Sequence, residues 1–173
     1  AQLTQEDIDR IVADIPGGVG NVQDIYRLGP LQEGILFHYL LGGEGDTYLL
    51  RSTLVFDSRE RVDAFLVAVQ SVIDRHDILR TAIMWEGLLQ PVQVVQRKVT
   101  LKAEEFSFPE GSALEQLLAK TDPEVLRIDL SVAPLLKVSI ARDTASGEWY
   151  LVMLSHHIAC DNISLVLLID EIK

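Results

Sequence analysis

The chain has 173 residues and a formal net charge of −11, with 26 acidic residues against 15 lysines and arginines. That length suits one domain with a substantial core and is too short for two large ones. A surface this acidic repels phosphate backbones, which sets nucleic acid aside as a partner. Apolar residues make up 48% of the chain, yet no stretch approaches the ~20 apolar residues of a membrane span. No basic region followed by an apolar run opens the sequence, so the expectation is a soluble, cytoplasmic protein. The lone cysteine, Cys160, excludes an internal disulfide and a Cys-based zinc cluster, and reads as a small buried hydrophobe.

In chain order, the first element is a helix capped by Thr4, with Asp7 three residues on and a thin stripe of Ile8, Ile11 and Val12. Pro16, Gly17, Gly18 and Gly20 end it. A second helix is predicted from Pro30, a residue suited to a first turn, to about Leu41, where Gly42 and Gly43 stop it. Residues 47–56 read as a strand rich in β-branched and aromatic residues. The strongest helical pattern follows, from a Ser58 cap to about Arg75. There Val62, Phe65, Leu66, Val69, Val72 and Ile73 fall at the spacing of one buried face.

Strands are predicted over 79–85 and 89–95, joined by a turn at Glu86-Gly87. Ser112 and Glu115 form a capping box for a helix carrying Leu114, Leu117 and Leu118, and Asp122-Pro123-Glu124 opens a further helical turn. Two long strands, 134–141 and 148–156, flank a turn at Ala145-Ser146-Gly147. An apolar helix over 163–172 closes the chain, apolar around most of its circumference and therefore expected to be buried on all sides. The alternation of helices and strands predicts an α/β fold.

The chemically loaded segment is Ser155-His156-His157-Ile158-Ala159-Cys160-Asp161-Asn162, at the junction between a buried strand and the last helix. Side chains alternate along a strand, so the two histidines are expected on opposite faces. Asp161 or Asn162 suits the N-cap of the helix, whose free N–H groups would then lie near the histidines. A helix N-terminus disfavours an imidazolium, and its N–H groups can polarise an acyl carbonyl. Each residue also has a structural reading: a histidine at a strand end as a hydrogen-bonded core residue, and Asp161 as a plain cap. A metal is not expected, because no third ligand lies at a suitable spacing.

His156-His157-x-x-x-Asp161 resembles the HHxxxDG motif of nonribosomal peptide synthetase condensation domains, whose fold is similar to chloramphenicol acetyltransferase. Three other segments carry the same resemblance. Pro30-Leu31-Gln32-Glu33-Gly34-Ile35-Leu36-Phe37-His38 resembles the opening motif of condensation domains that accept a D-configured donor. Arg75-His76-Asp77-Ile78-Leu79-Arg80-Thr81 resembles the RHxxLRT motif. The segment before the first motif, through Asp24-Ile25-Tyr26, resembles the linker from an upstream carrier protein. Asn162 stands where the family has glycine. His38-Tyr39-Leu40-Leu41-Gly42-Gly43-Glu44-Gly45-Asp46 is similar to the extra motif of dual condensation–epimerisation domains, HH-(I/L)-x-x-x-x-GD, with Tyr39 in place of its second histidine.

The resemblance implies a chloramphenicol acetyltransferase-like lobe, a mixed sheet flanked by helices, as one half of a two-lobed condensation domain. Residues 1–24 would be the linker and 25–173 the N-terminal lobe. The implied reaction forms an amide between peptidyl and aminoacyl thioesters held on carrier-protein phosphopantetheine, with donor epimerisation as a second activity. The lobe itself would bind no cofactor. Its partners would be the upstream and downstream carrier proteins, the C-terminal lobe and an adenylation domain. His157 would act on the attacking amine, His156 would support it from the buried side, and Asp161 would shape the turn through an ion pair, with Arg75, Arg80 or a residue of the second lobe as its partner. The lobe alone is expected to fold without catalysing. Two other readings stay open: a trimeric acyltransferase of the same fold using coenzyme A, and a non-catalytic lobe that docks carrier proteins.

Overall fold

The computed structural model describes residues 3–159. Helix α1 (Gln5–Asp14) starts where Thr4 accepts the Asp7 N–H and Asp7 accepts the Thr4 N–H in return, the full capping box. A 3₁₀ turn (Gly18–Asn21) leads into strand β1 (Val22–Arg27). Helix α2 (Pro30–Leu40) has its proline in the first turn, and Gln32 accepts the Gly29 N–H. Strand β2 (Leu49–Phe56) and helix α3 (Arg59–Arg75), capped by Ser58, follow as the pattern predicts.

Next come a 3₁₀ turn (Asp77–Arg80) and strands β3 (Thr81–Met84), β4 (Val92–Gln96) and β5 (Ala103–Phe106). Helix α4 (Ala113–Lys120) is capped by Ser112. The predicted turn after Asp122 is one turn long, with the Val125 and Leu126 N–H groups both donating to the Asp122 carbonyl. Strands β6 (Leu136–Arg142) and β7 (Trp149–His156) close the described part. The predicted final helix, with Cys160, Asp161 and Asn162, lies outside the described residues.

Two sheets form. The larger has the order β2-β7-β6-β5 and is mixed: β5 runs parallel to β6, reached through α4, and the other pairs are antiparallel. The period-two alternation of β7 sorts its side chains between two helices. Trp149, Leu151 and Met153 join Val62, Val69, Val72 and Ile73 of α3 on one face. Val152 and Leu154 join Ala113 and Leu117 of α4 on the other. This is the mixed sheet flanked by helices that the resemblance implies.

The smaller sheet, β1-β4-β3, is antiparallel and is covered by Ile11 and Ile15 at the end of α1. The expected boundary at residue 24 therefore falls inside β1. The segment expected as a linker contributes two buried isoleucines to a core.

Arg80, a candidate partner for Asp161, ends the 3₁₀ turn that follows α3, and Asp161 lies outside the described residues. Arg80 is 5% exposed, and its N–H groups find acceptors on every side. Nε donates to the Gln96 carbonyl, Nη1 to the carbonyls of Ile73 and Asp74, and Nη2 to Gln23 and Asp77. A planar fork of fixed donors ties the end of α3 to β4, a task one ammonium group cannot match. Arg80→Ala should cost about 3 kcal/mol, because the backbone acceptors it serves stay buried. Arg80→Lys should recover little of that. Equilibrium denaturant unfolding checks both, and an unchanged midpoint for Arg80→Ala would refute the latch.

Candidate functional site

Strand β7 delivers the histidine pair. Its last residue is His156, whose N–H donates to the Leu135 carbonyl. The His157 N–H donates to the Tyr48 carbonyl, so both histidines hang from backbone bonds to neighbouring strands' ends. The chain then turns over 157–159, with the Ala159 N–H reaching back to the His156 carbonyl. His156 is fully buried as the last residue of β7, and His157 is half-buried on the turn that follows.

Both ring nitrogens of His156 are engaged. Nδ1 receives the Ile158 N–H at 3.1 Å, so it carries the lone pair. The ring hydrogen therefore sits on Nε2, which donates to Asp46 Oδ2 at 2.7 Å. Burial pushes the His156 pKa below the ordinary imidazole value, against the opposing pull of Asp46, and nearby His157 and Arg127 lower it further. His156 is thus a neutral imidazole in a fixed tautomer.

Asp46 is held as firmly. Its N–H donates to the Pro123 carbonyl at 2.8 Å, and its Oδ1 accepts the Tyr48 N–H at 2.9 Å. Gly45 before it has φ of +72°, and a Cβ there would lie 2.2 Å from the Glu124 carbonyl oxygen. Only glycine fits a left-handed position pressed against another backbone.

Tyr39, which replaces the second histidine of the expected epimerisation motif, is tied down rather than offered to a substrate. Its hydroxyl donates to the Ile128 carbonyl at 2.9 Å. Arg127 stacks over its ring at 4.2 Å and donates to its carbonyl at 2.6 Å. The ring meets His156 and Trp85 edge-on, at 6.2 and 6.0 Å. His38, by contrast, is exposed and lies 6.1 Å from the Tyr48 ring. His38, Tyr39, Gly45, Asp46, Tyr48 and Arg127 line a cavity of about 520 Å³.

The structure therefore gathers His156, Tyr39, Gly45 and Asp46 at one place, with His157 on the following turn and His38 at the rim. Arg75 and Arg80 are not among them. Arg75 is exposed at the end of α3, where its Nε donates to the Ser71 carbonyl, and its expected partner Asp161, like that of Arg80, lies outside the described residues. Arg127 and Tyr48 carry no motif and were not anticipated. Among the described residues no group of three His, Cys, Asp or Glu side chains is placed to hold a metal ion, and no helix is long and apolar enough to cross a membrane.

Residues 22–173 match the family model described as Condensation domain. The chain is 50% identical to malpibaldin synthetase and 47% identical to malpinin synthetase, both of Mortierella alpina. It is 34% identical to a linear gramicidin synthase of Brevibacillus parabrevis. Each match covers 99% of this chain but only 2–3% of the relative's length. Among solved structures, a holo four-domain nonribosomal peptide synthetase bound to AMP and glycine superposes with a TM-score of 0.73, at 18% identity, over 87% of this chain and 11% of the other. The starter condensation domain of rhizomide synthetase gives 0.70 at 19% identity, over 87% of this chain and 38% of the other. The mixed sheet and its two flanking helices are accordingly those of a condensation domain, and the chain belongs to that family.

Proposed function

We propose that the chain is the N-terminal lobe of a condensation domain that forms peptide bonds in nonribosomal synthesis. The donor is a peptidyl thioester and the acceptor an aminoacyl thioester, each on the phosphopantetheine arm of a carrier protein. The acceptor's α-amine attacks the donor carbonyl, a C–N bond forms, the C–S bond breaks, and the amine proton passes to the leaving thiolate. His157 relays that proton and holds the amine in line. Asp161 shapes the turn that follows it. The observation that carries this reading is the division of labour at the strand end: both nitrogens of His156 are spent on the protein, which leaves His157 as the imidazole for chemistry.

Amide formation needs two bulky thioesters within about 3–3.5 Å of each other. A single lobe supplies one wall for that alignment, so the 173 residues alone are expected to fold without turnover. The test is product formation by the whole synthetase with both carriers loaded. Absence of the condensed product would reject the proposal.

The same assay reads the second activity. We propose that the enzyme condenses without inverting the donor. A phenol is a poor base at neutral pH beside an imidazole, and the hydroxyl of Tyr39 is already committed to Ile128. Product from an L-configured donor should keep its configuration. An inverted centre would show that His38 alone suffices.

A further inference from the structure

The Gly45-Asp46 pair belongs to a segment that resembles an epimerisation motif, yet the structure gives it a partner 110 residues away in the other histidine motif. We propose that Asp46 is a positioning residue for condensation: through His156 it sets the turn that presents His157. This rests on the assignment of His157 to the attacking amine.

The imidazole of His156 is a bridge between two backbone segments. On one side Nε2–H meets Asp46, which Pro123, Tyr48 and the pinched Gly45 hold in place. On the other, Nδ1 accepts the N–H of Ile158, the residue directly after His157. The Asp46 side chain is 4% exposed and His156 is fully buried, with the rings of Tyr39 and Tyr48 packed around it. Water is therefore not at hand to replace a lost partner, and a missing bond leaves a buried polar atom unmet.

Asp46 also selects the tautomer. With the hydrogen on Nδ1, that N–H would point at the Ile158 N–H, donor against donor, and the bare Nε2 would face the Asp46 oxygen. Both contacts would fail together. An imidazolium would keep the Asp46 bond and still turn Nδ1–H against Ile158. Only the neutral Nε2–H form serves both ends, and Asp46 is what holds the hydrogen there. The carboxylate thus acts on the 157–159 turn without reaching the substrate itself.

The experiment uses the full-length synthetase with both carriers loaded and combines kinetics with thermal unfolding. Asp46→Ala should lower kcat by roughly ten- to a hundredfold, the scale of a misplaced reacting group, with KM for both loaded carriers unchanged. Asp46→Asn keeps an acceptor oxygen and should recover part of the rate. In a His156→Ala background neither substitution should lower kcat further, because the path to His157 is already cut. Asp46→Ala at wild-type kcat, an Asp46→Asn no faster than Asp46→Ala, or losses that multiply with His156→Ala, would overturn the proposal. If Asp46→Ala does not fold, the coupling of Asp46→Asn with His156→Ala carries the test, and losses that multiply would overturn the proposal. The unfolding midpoints of the single and double variants report the Asp46–His156 coupling without reference to catalysis. A neutral His157→Ala beside intact coupling would therefore reject the function assigned to His157, whereas independent midpoints would reject the bridge itself.

Discussion

In the full-length enzyme, His157→Ala should cut the rate of amide formation by roughly 10²-fold or more, the usual scale for a positioned base. His157 is half-buried on a turn whose backbone bond to Tyr48 survives the substitution. The loss should therefore appear in kcat with little change in stability. A variant that condenses at the wild-type rate would remove His157 from the mechanism.

His156→Ala should lose stability as well as rate, because it also cuts the path from Asp46 to the turn that presents His157. It empties a fully buried site and strands the Asp46 carboxylate without its donor, a cost of about 3 kcal/mol or more. The pH dependence separates the two histidines further. The folded state holds the His156 pKa below its unfolded value, so below about pH 6.5 the unfolded chain takes up a proton that the folded chain refuses. The stability contribution is complete above that pH and falls as the pH drops, by at most about 1.4 kcal/mol per unit. Asp46, His157, Arg127, Tyr39 and Tyr48 all face this ring, so the meaningful quantity is the difference between wild type and His156→Ala across pH. Parallel stability curves would show that His156 is not the group responsible.

Periodicity and capping chemistry made most of the fold readable in advance. The stripe of α3 and its Ser58 cap, the Thr4 capping box and the β6–β7 pair are local patterns, and each lies within a residue or two of its expected place. Strands β1 and β5 were not anticipated, for a physical reason. β1 reads Val22-Gln-Asp-Ile-Tyr-Arg27 and β5 reads Ala103-Glu-Glu-Phe106, both polar edge strands with no fully buried residue. Their strand state comes from pairing with β4 and β6, not from their own composition.

The site was legible in part for the same reason. The paired histidines were found because they are adjacent in sequence, and their division between buried and half-buried arises because β7 ends at His156 and the chain turns at His157. The contact between Asp46 and His156 spans 110 residues and leaves no mark in local spacing. Arg127 stood apart from every motif, yet it clamps Tyr39 from a segment with no regular structure. Arg80 belonged to a recognisable motif, but nothing local reveals that its fork meets the carbonyls of Ile73, Asp74 and Gln96.

Gly45→Ala should be among the most damaging single substitutions in the chain, and two causes add. A side chain at φ of +72° costs roughly 1–2 kcal/mol in backbone strain. The new Cβ would also sit 2.2 Å from the Glu124 carbonyl oxygen and 2.5 Å from that of Pro123, distances that a real Cβ does not reach. The obstacle is backbone, so no side chain can swing aside, and the two segments must separate. Their separation breaks the bond from the Asp46 N–H to the Pro123 carbonyl and carries Asp46 away from His156. A total of roughly 3 kcal/mol or more is expected, read as a lower unfolding midpoint. Gly42→Ala is the internal control, because Gly42 has a similar φ of +79° with nothing within 4 Å of its Cβ position. It carries the strain alone and should lose only about 1 kcal/mol. Equal losses for the two alanines would mean that the Gly45 contact relaxes at no cost, and the loop would then not be what holds Asp46 against the histidine.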